Sequence, residues 1–410
     1  MASVYTFTKN APALLRSISR KSNTAYCAIE TAKPPTSSEA AQIPYKNSGV
    51  MHVSSIMCGE YMRGTTDAMV NQLPRRGFQS RQWWIFLLLL LASIHCGRSI
   101  FFDNSSHVDL TKYENGTAAM PFQGRVAMMP VLRWAHSDAA LQKMTESSLA
   151  RHGELHLLTE PASPEKTVSE IVGVVSLMLL VGFSAWYGNL RIPEFWWLPP
   201  ALTLVQFYVT YAARYEQDLW YPYDLPHFLL FTLACFAILE RRWLILLVLF
   251  CLDAPMRETA VYLIPCVLVS GFETRRWRPV VLVSAAMAVV WAAIRVMIRR
   301  RFLHNPSDTS IHYHQAYHAL VGPQHWPQVA SAFGFLALPL WLGRKLLPRN
   351  QYLLLMGALP CVAFSGLFGI WYETRMWDEW VGVAALLLAV EAAALWGRSR
   401  AEVPAMVERL

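Results

Sequence analysis

Roughly ten apolar segments, each near the ~20-residue length that crosses a bilayer, succeed one another between Gln82 and Trp396, and charged residues are confined largely to the gaps between them. The first opens with Gln82-Trp83-Trp84-Ile85-Phe86 and runs into five leucines. Lipid offers the backbone no hydrogen bonds, so a helix that satisfies its own amides is the lowest-energy way across. The pattern predicts an all-α fold, a polytopic transmembrane helical bundle of about ten spans. The expected spans are 82–101, 167–187, 193–213, 225–239, 242–253, 258–272, 279–298, 326–343, 351–371 and 379–397. Three of them, 225–239, 242–253 and 258–272, fall short of a full crossing and predict tilted or broken helices, which only a protein bundle tolerates.

Charge gives the ladder a direction. Hydrophobic residues make up 54% of the chain and charged ones 16%, too few for an ordinary soluble protein of 410 residues. The net charge of +8 sits in short arginine clusters at segment ends, which fits membrane orientation and argues against a nucleic-acid partner. With the N-terminus inside, the cytoplasmic gaps hold Arg75-Arg76-Arg81, Arg191, Arg241-Arg242, Arg275-Arg276-Arg278, Arg344-Lys345-Arg349 and Arg398-Arg400. The outer gaps hold the single arginines Arg214, Arg257 and Arg375, with Arg299-Arg300-Arg301 as the exception. Both termini are therefore expected in the cytoplasm. Tryptophans such as Trp83, Trp84, Trp196, Trp197, Trp243, Trp326, Trp377 and Trp380 flank apolar runs, where interfacial belts place them. The seven cysteines are scattered without metal-binding or disulfide spacing.

The chain divides into three parts on composition. Residues 1–80 are rich in Ser, Thr, Ala and basic residues, lack a long apolar run, and read as a disordered or over-extended N-terminal segment, with later methionines at Met51, Met57, Met62 and Met69. Their first stretch faintly resembles a transit peptide. Residues 81–400 form the membrane domain, and 401–410 a short cytoplasmic tail. Two long loops lie on the predicted outer face, about 102–166 and 299–325. Within the first, residues 127–150 carry Met129, Leu132, Trp134, Leu141, Met144 and Leu149 at helical spacing, predicting one interfacial amphipathic helix.

Candidate chemistry gathers on the same face. Asp103 and Asp109 follow the first span, where a carboxylate can serve as general base toward a lipid-linked substrate or hold a divalent ion that bridges its phosphates. Solvated loop acids are the alternative. Pro121-Phe122-Gln123-Gly124-Arg125 joins an amide and an arginine just before a helix; Arg125 suits bidentate phosphate recognition, or else snorkels to lipid headgroups. Asp224 stands where it can cap the following helix or line a site. Arg257 and Glu258 interrupt two apolar runs and either pair with other bundle charges or mark a polar pathway. Glu373 and Arg375 form a second such cluster. Five histidines (His304, His312, His314, His318, His325) crowd the second loop, with His314 and His318 at i and i+4. The sequons at Asn104 and Asn115 matter only in a host that glycosylates that side.

In their order, the PFQGR segment before Met129-Pro130-Val131-Leu132, Tyr223-Asp224 leading a span, Arg257-Glu258-Thr259, and Glu373-Thr374-Arg375 resemble a group of bacterial multi-span proteins similar to the GT-C superfamily of membrane glycosyltransferases. The resemblance covers roughly 82–397. It implies a bacterial inner (plasma) membrane location, membrane lipid and a polyprenyl-phosphate-linked sugar donor as partners, and an interfacial helix in the first outer loop. It assigns the acidic catalytic role to Asp103 or Asp109, and donor-phosphate contacts to Arg125, Arg257 and Arg375. Gln123, Asp224, Glu258 and Glu373 fall beside them as substrate-binding candidates. No cofactor is required beyond a divalent cation as an option. Two other classes compete: a transporter or lipid flippase, which predicts internal repeats and mid-membrane charges, whereas the sequence shows no clear repeat and few in-span charges (Arg295, Glu391), and a non-catalytic membrane scaffold.

Overall fold

The computed structural model describes residues 80–152, 163–212, 219–271, 277–306, 322, 336–368 and 378–407. They belong to the unit Gly77–Leu410. The expectations for residues 1–79, for Glu373 and Arg375, and for His312, His314, His318 and His325 lie outside the described residues.

Apart from a two-residue parallel ladder, the described elements are helices. Helix α1 (Ser80–Asp103) carries the leucine run and is followed by β1 (Ser105–Ser106) and the short α2 (Leu110–Asn115). The amphipathic stretch of the first loop forms two helices, α3 (Met129–Ser137) and α4 (Ala139–His152), rather than the single one expected. The reason is Asp138, whose backbone is extended and whose Oδ1 accepts from the amides of Ala140 and Leu141 at 3.0 and 2.9 Å. That bond starts a new helix instead of continuing the old one.

Then follow α5 (Pro164–Arg191) and α6 (Leu198–Phe207), which continues as a π turn over Tyr208–Ala212. Strand β2 (Leu219–Trp220) leads to α7 (Asp224–Leu239), α8 (Trp243–Asp253) and α9 (Leu263–Gly271), the last preceded by a 3-10 turn over Glu258–Tyr262. The chain closes with α10 (Trp277–Arg301), α11 (Ala337–Gly343), α12 (Arg349–Phe368) and α13 (Val381–Val407).

Among the described residues, four segments are helical, long and apolar enough to cross a membrane: Gln82–Phe102, Pro164–Arg191, Trp277–Arg301 and Asp378–Gly397. The apolar helices Asp224–Leu239, Trp243–Asp253 and Glu258–Gly271 are shorter, as their sequence lengths anticipated. The expected span 193–213 is interrupted by a 3-10 turn at Pro193–Phe195 and by the π turn at its end. Most of 326–343 lies outside the described residues.

Leu88, Leu244, Leu282, Val289 and Leu342 point outward with at least 64% of their surface uncovered. A water-soluble bundle would not leave such faces bare. Inside, Phe231, Cys235, Phe236, Leu246, Phe250, Leu263, Cys266, Met287 and Leu386 form one core joining α7, α8, α9, α10 and α13. A second core, with Phe101, Leu177, Leu180, Phe207, Trp220 and Phe228, binds α1 to α5, α6 and α7.

Polar contacts sort the helix ends into two sets. At one end β1 pairs with β2, and Thr210 of the π turn donates to Asp378 at 3.2 Å. At the other, Arg191 closing α5 meets Glu240 just past α7, and Phe195 packs edge-on against Trp396 of α13 at 6.3 Å. Helices that alternate in direction produce this arrangement.

Close helix approach relies on small residues, because lipid supplies no hydrophobic drive for membrane helices to associate. A Cβ at Gly357 of α12 would lie 2.7 Å from the Cys266 Cα of α9 and 3.2 Å from the Pro265 carbonyl oxygen. Both are backbone atoms and cannot step aside. Gly357→Val is expected to force α12 off α9 and to destabilise the bundle by about 1–3 kcal/mol, the usual penalty for overpacking. Thermal unfolding of the detergent-purified protein checks this; an unchanged midpoint would show that the contact is dispensable.

Candidate functional site

The first loop is built around α2. Asp109 caps it, its Oδ1 accepting from the Lys112 amide at 3.0 Å, and the same carboxylate pairs with the Lys112 ammonium at 3.4 Å. Gly116 ends the helix with φ 80°, a left-handed conformation that favours glycine. Asn305, just beyond α10, then donates to the carbonyls of Gly116 and Ala118 at 2.9 and 2.8 Å. Gln123 is fully buried and its amide is spent on the loop itself: it accepts from the Ala118 amide at 3.0 Å and donates to the Tyr113 carbonyl at 3.3 Å. The sequence made Gln123 a substrate contact; here it braces the turn that presents Arg125.

Arg125 is 8% exposed, so it does not snorkel outward. Its Nε and Nη2 donate to both oxygens of Glu258 at 3.1 and 2.6 Å, and its Nη1 donates to the Tyr223 hydroxyl at 2.9 Å. The guanidinium also lies 5.0 Å from the centre of the Tyr223 ring. Tyr113 donates to the Arg125 carbonyl from below. Burial disfavours the charge on Arg125, but Glu258 more than offsets this and holds the group above its ordinary range. Burial likewise pushes the Tyr113 and Tyr223 phenols up, so both remain neutral, Tyr113 as donor and Tyr223 as acceptor.

Arg257 lies beside this pair, 8% exposed, in extended backbone between α8 and the Glu258–Tyr262 turn. Its Nη1 stands 3.3 Å from Glu379 and 3.7 Å from Asp224, and these charges overcome burial to raise its pKa. Neither Nε nor Nη1 makes a hydrogen bond, and neither oxygen of Asp224 accepts one. Asp224 is the first residue of α7 and makes no capping bond, so the capping role expected for it is not realised.

A third group completes the cluster. His227 Nδ1 meets Asp253 at 2.6 Å, both side chains fully enclosed, and its Nε2 stands 3.5 Å from Glu379. Thr259 donates to Glu379 at 2.5 Å. Arg295, the in-span charge, donates to the carbonyls of Gly124 (3.0 Å) and Ala254, so it ties α10 to the loop and to the end of α8.

The structure therefore joins Arg125, Asp224, Arg257 and Glu258 from the sequence-derived candidates. Asp109 is exposed and occupied by its cap and by Lys112. Asp103 is the last residue of α1, two positions before the ladder in which Ser105 pairs with Leu219. Sequence reading did not single out His227 or Asp253, named Tyr223 only as part of a motif, and did not foresee that Arg257 meets Glu379. For His227 a signal existed: it follows Asp224 by three residues and so shares its helix face.

No family model matches the chain, and neither a curated protein nor a solved structure is similar to it.

The His227–Asp253 pair is enclosed by protein on all sides, so removing one partner strands the other. His227→Ala and Asp253→Ala are each expected to cost about 3–5 kcal/mol, with the double variant costing less than the sum. Denaturation of the four proteins in detergent measures the coupling; strict additivity would mean the two side chains do not interact.

Proposed function

We propose that this chain is an integral membrane glycosyltransferase of the GT-C type, which transfers a sugar from a polyprenyl-phosphate donor to an acceptor at the outer face of a bacterial inner membrane. In this reading both termini are cytoplasmic, and the end of the bundle that carries Arg125 and Arg257 faces outward. The observation that supports it most is Arg257. It is a buried guanidinium with two nitrogens making no hydrogen bond, beside a buried carboxylate with none. Orphaned buried donors cost about 1–3 kcal/mol each, and sites that recognise phosphate have reason to keep them. A donor phosphate binding there would take up the Arg257 donors, with Arg125 adding positive field from beside it.

The chemistry is a single displacement. The acceptor hydroxyl attacks the anomeric carbon, a carboxylate takes its proton, and polyprenyl phosphate leaves toward the arginines. Asp103 is the base we favour among the first-loop acids, because Asp109 is already engaged as a cap and ion-pair partner. Asp224 is the competing candidate. The ladder of Ser105 with Leu219 and Ser106 with Trp220 brings the chain around both acids to one rim.

The test is to incubate the purified protein with polyprenyl-phosphate sugars and follow released polyprenyl phosphate. Wild type is expected to turn over. Asp103→Asn is expected to lose at least about 100-fold, the low end of what general-base removal costs. Arg257→Gln is expected to fall with it. Loss in Asp224→Asn with an active Asp103→Asn moves the base to Asp224. Full activity in the Asp103/Asp109 double variant removes the first loop from the chemistry. Movement of a labelled lipid or solute without turnover replaces the enzyme by a transporter or flippase, and neither activity leaves a scaffold.

A further inference from the structure

A second polar cluster lies in the same loop and takes no part in the site above. Glu114 closes α2, His136 lies in the last turn of α3, and Glu165 in the first turn of α5. One ligand atom from each lies within 4.8 Å of the others. His136 Nδ1 stands 2.5 Å from Glu165 Oε1 and 3.4 Å from Glu114 Oε1. Both carboxylates are buried, Glu114 at 3% exposure and Glu165 at 5%, while the imidazole is open to its surroundings on its far side. The second oxygen of Glu114 is buried and accepts no hydrogen bond. Arg133 gives its Nε to the Glu114 carbonyl at 2.5 Å.

We propose that Glu114, His136 and Glu165 bind a divalent transition-metal ion of the zinc or manganese class. An imidazole with two carboxylates is a set such ions favour, and the histidine argues against calcium or magnesium, which prefer all-oxygen shells. Ligands about 2.1 Å from a tetrahedral ion sit roughly 3.4 Å apart, which the His136–Glu114 separation matches. The His136–Glu165 contact is shorter because a proton lies between the two; the ion replaces that proton, which leaves to solvent, and Glu165 swings outward to make room. Two carboxylates and one dication balance in charge, so two buried acids become compatible with each other. The ion would clamp three separate elements, α2, α3 and the start of α5. It is separate from any ion that bridges donor phosphates, and it acts by fixing the loop that carries Arg125.

The test needs no knowledge of the reaction. Detergent-purified protein is stripped with chelator, titrated with zinc or manganese alone, desalted, and assayed for bound metal. The wild type is expected to retain one equivalent more than His136→Gln, Glu114→Gln or Glu165→Gln, each close in size to the residue it replaces. Its melting temperature should rise with zinc where theirs does not. Histidines elsewhere can add their own metal, so the difference between wild type and variants is the readout. Equal retention in all four proteins overturns the proposal. Wild type that retains no metal overturns it without recourse to any variant.

Discussion

The fork between Arg125 and Glu258 joins residues 133 positions apart and holds the first loop onto the bundle. Everything at this end of the molecule depends on it. A guanidinium taken out of water is costly unless its donors are satisfied and its charge is met, and here two oxygens and a phenol do both. Once Arg125 is fixed, the turn at Phe122–Gly124 has one position, and Arg295 can close over the Gly124 carbonyl. The same step of chain that supplies Glu258 supplies Arg257, so anchoring one charge positions the other. The loop is thereby tied to the helices through Arg125 and Arg295.

The neighbouring groups form a chain of shared partners. Glu379 answers to Arg257, His227 and Thr259 together, and Asp253 to His227. In such a network the charges of α7 and α8, of the turn leading into α13 and of the step between α8 and α9 are mutually dependent. This explains how a bundle with outward-facing leucines can hold these buried ionisable groups: they face one another. Arg257 and Asp224 depart from that economy, with donors and acceptors that no protein group takes up.

Much of this was legible in the sequence at the level of elements. Apolar run length marks α1, α5, α10 and α13, and the shortness of α7, α8 and α9 follows from the charges and prolines at their ends. Arg257 and Glu258 stood out because charges between apolar runs are rare. What the sequence could not show was pairing. Arg125 with Glu258, or His227 with Asp253, are contacts between distant positions, and no local period encodes them. The split of the loop helix at Asp138 was readable in principle, since an aspartate followed by two alanines starts helices well. The apolar periodicity on both sides of it hid the break. The bracing by Gln123 and the missing cap at Asp224 were hidden for a different reason: a polar side chain near a turn looks the same whether it braces the backbone or faces a ligand.

The π turn at Tyr208–Ala212 carries its own implication. Such a turn accommodates one residue more than an α-helix of equal rise, so the side chains within it are set differently from those of a regular continuation. Thr210 reaches Asp378, and Tyr208 reaches His95, from within this widened turn. The far end of α6 is therefore indexed by residue count rather than by composition. Removing a single residue between 208 and 212 would take out the extra residue of the widened turn and change which side chain stands opposite Asp378. Conservative substitutions there leave the index intact, whereas the shortest deletion does not.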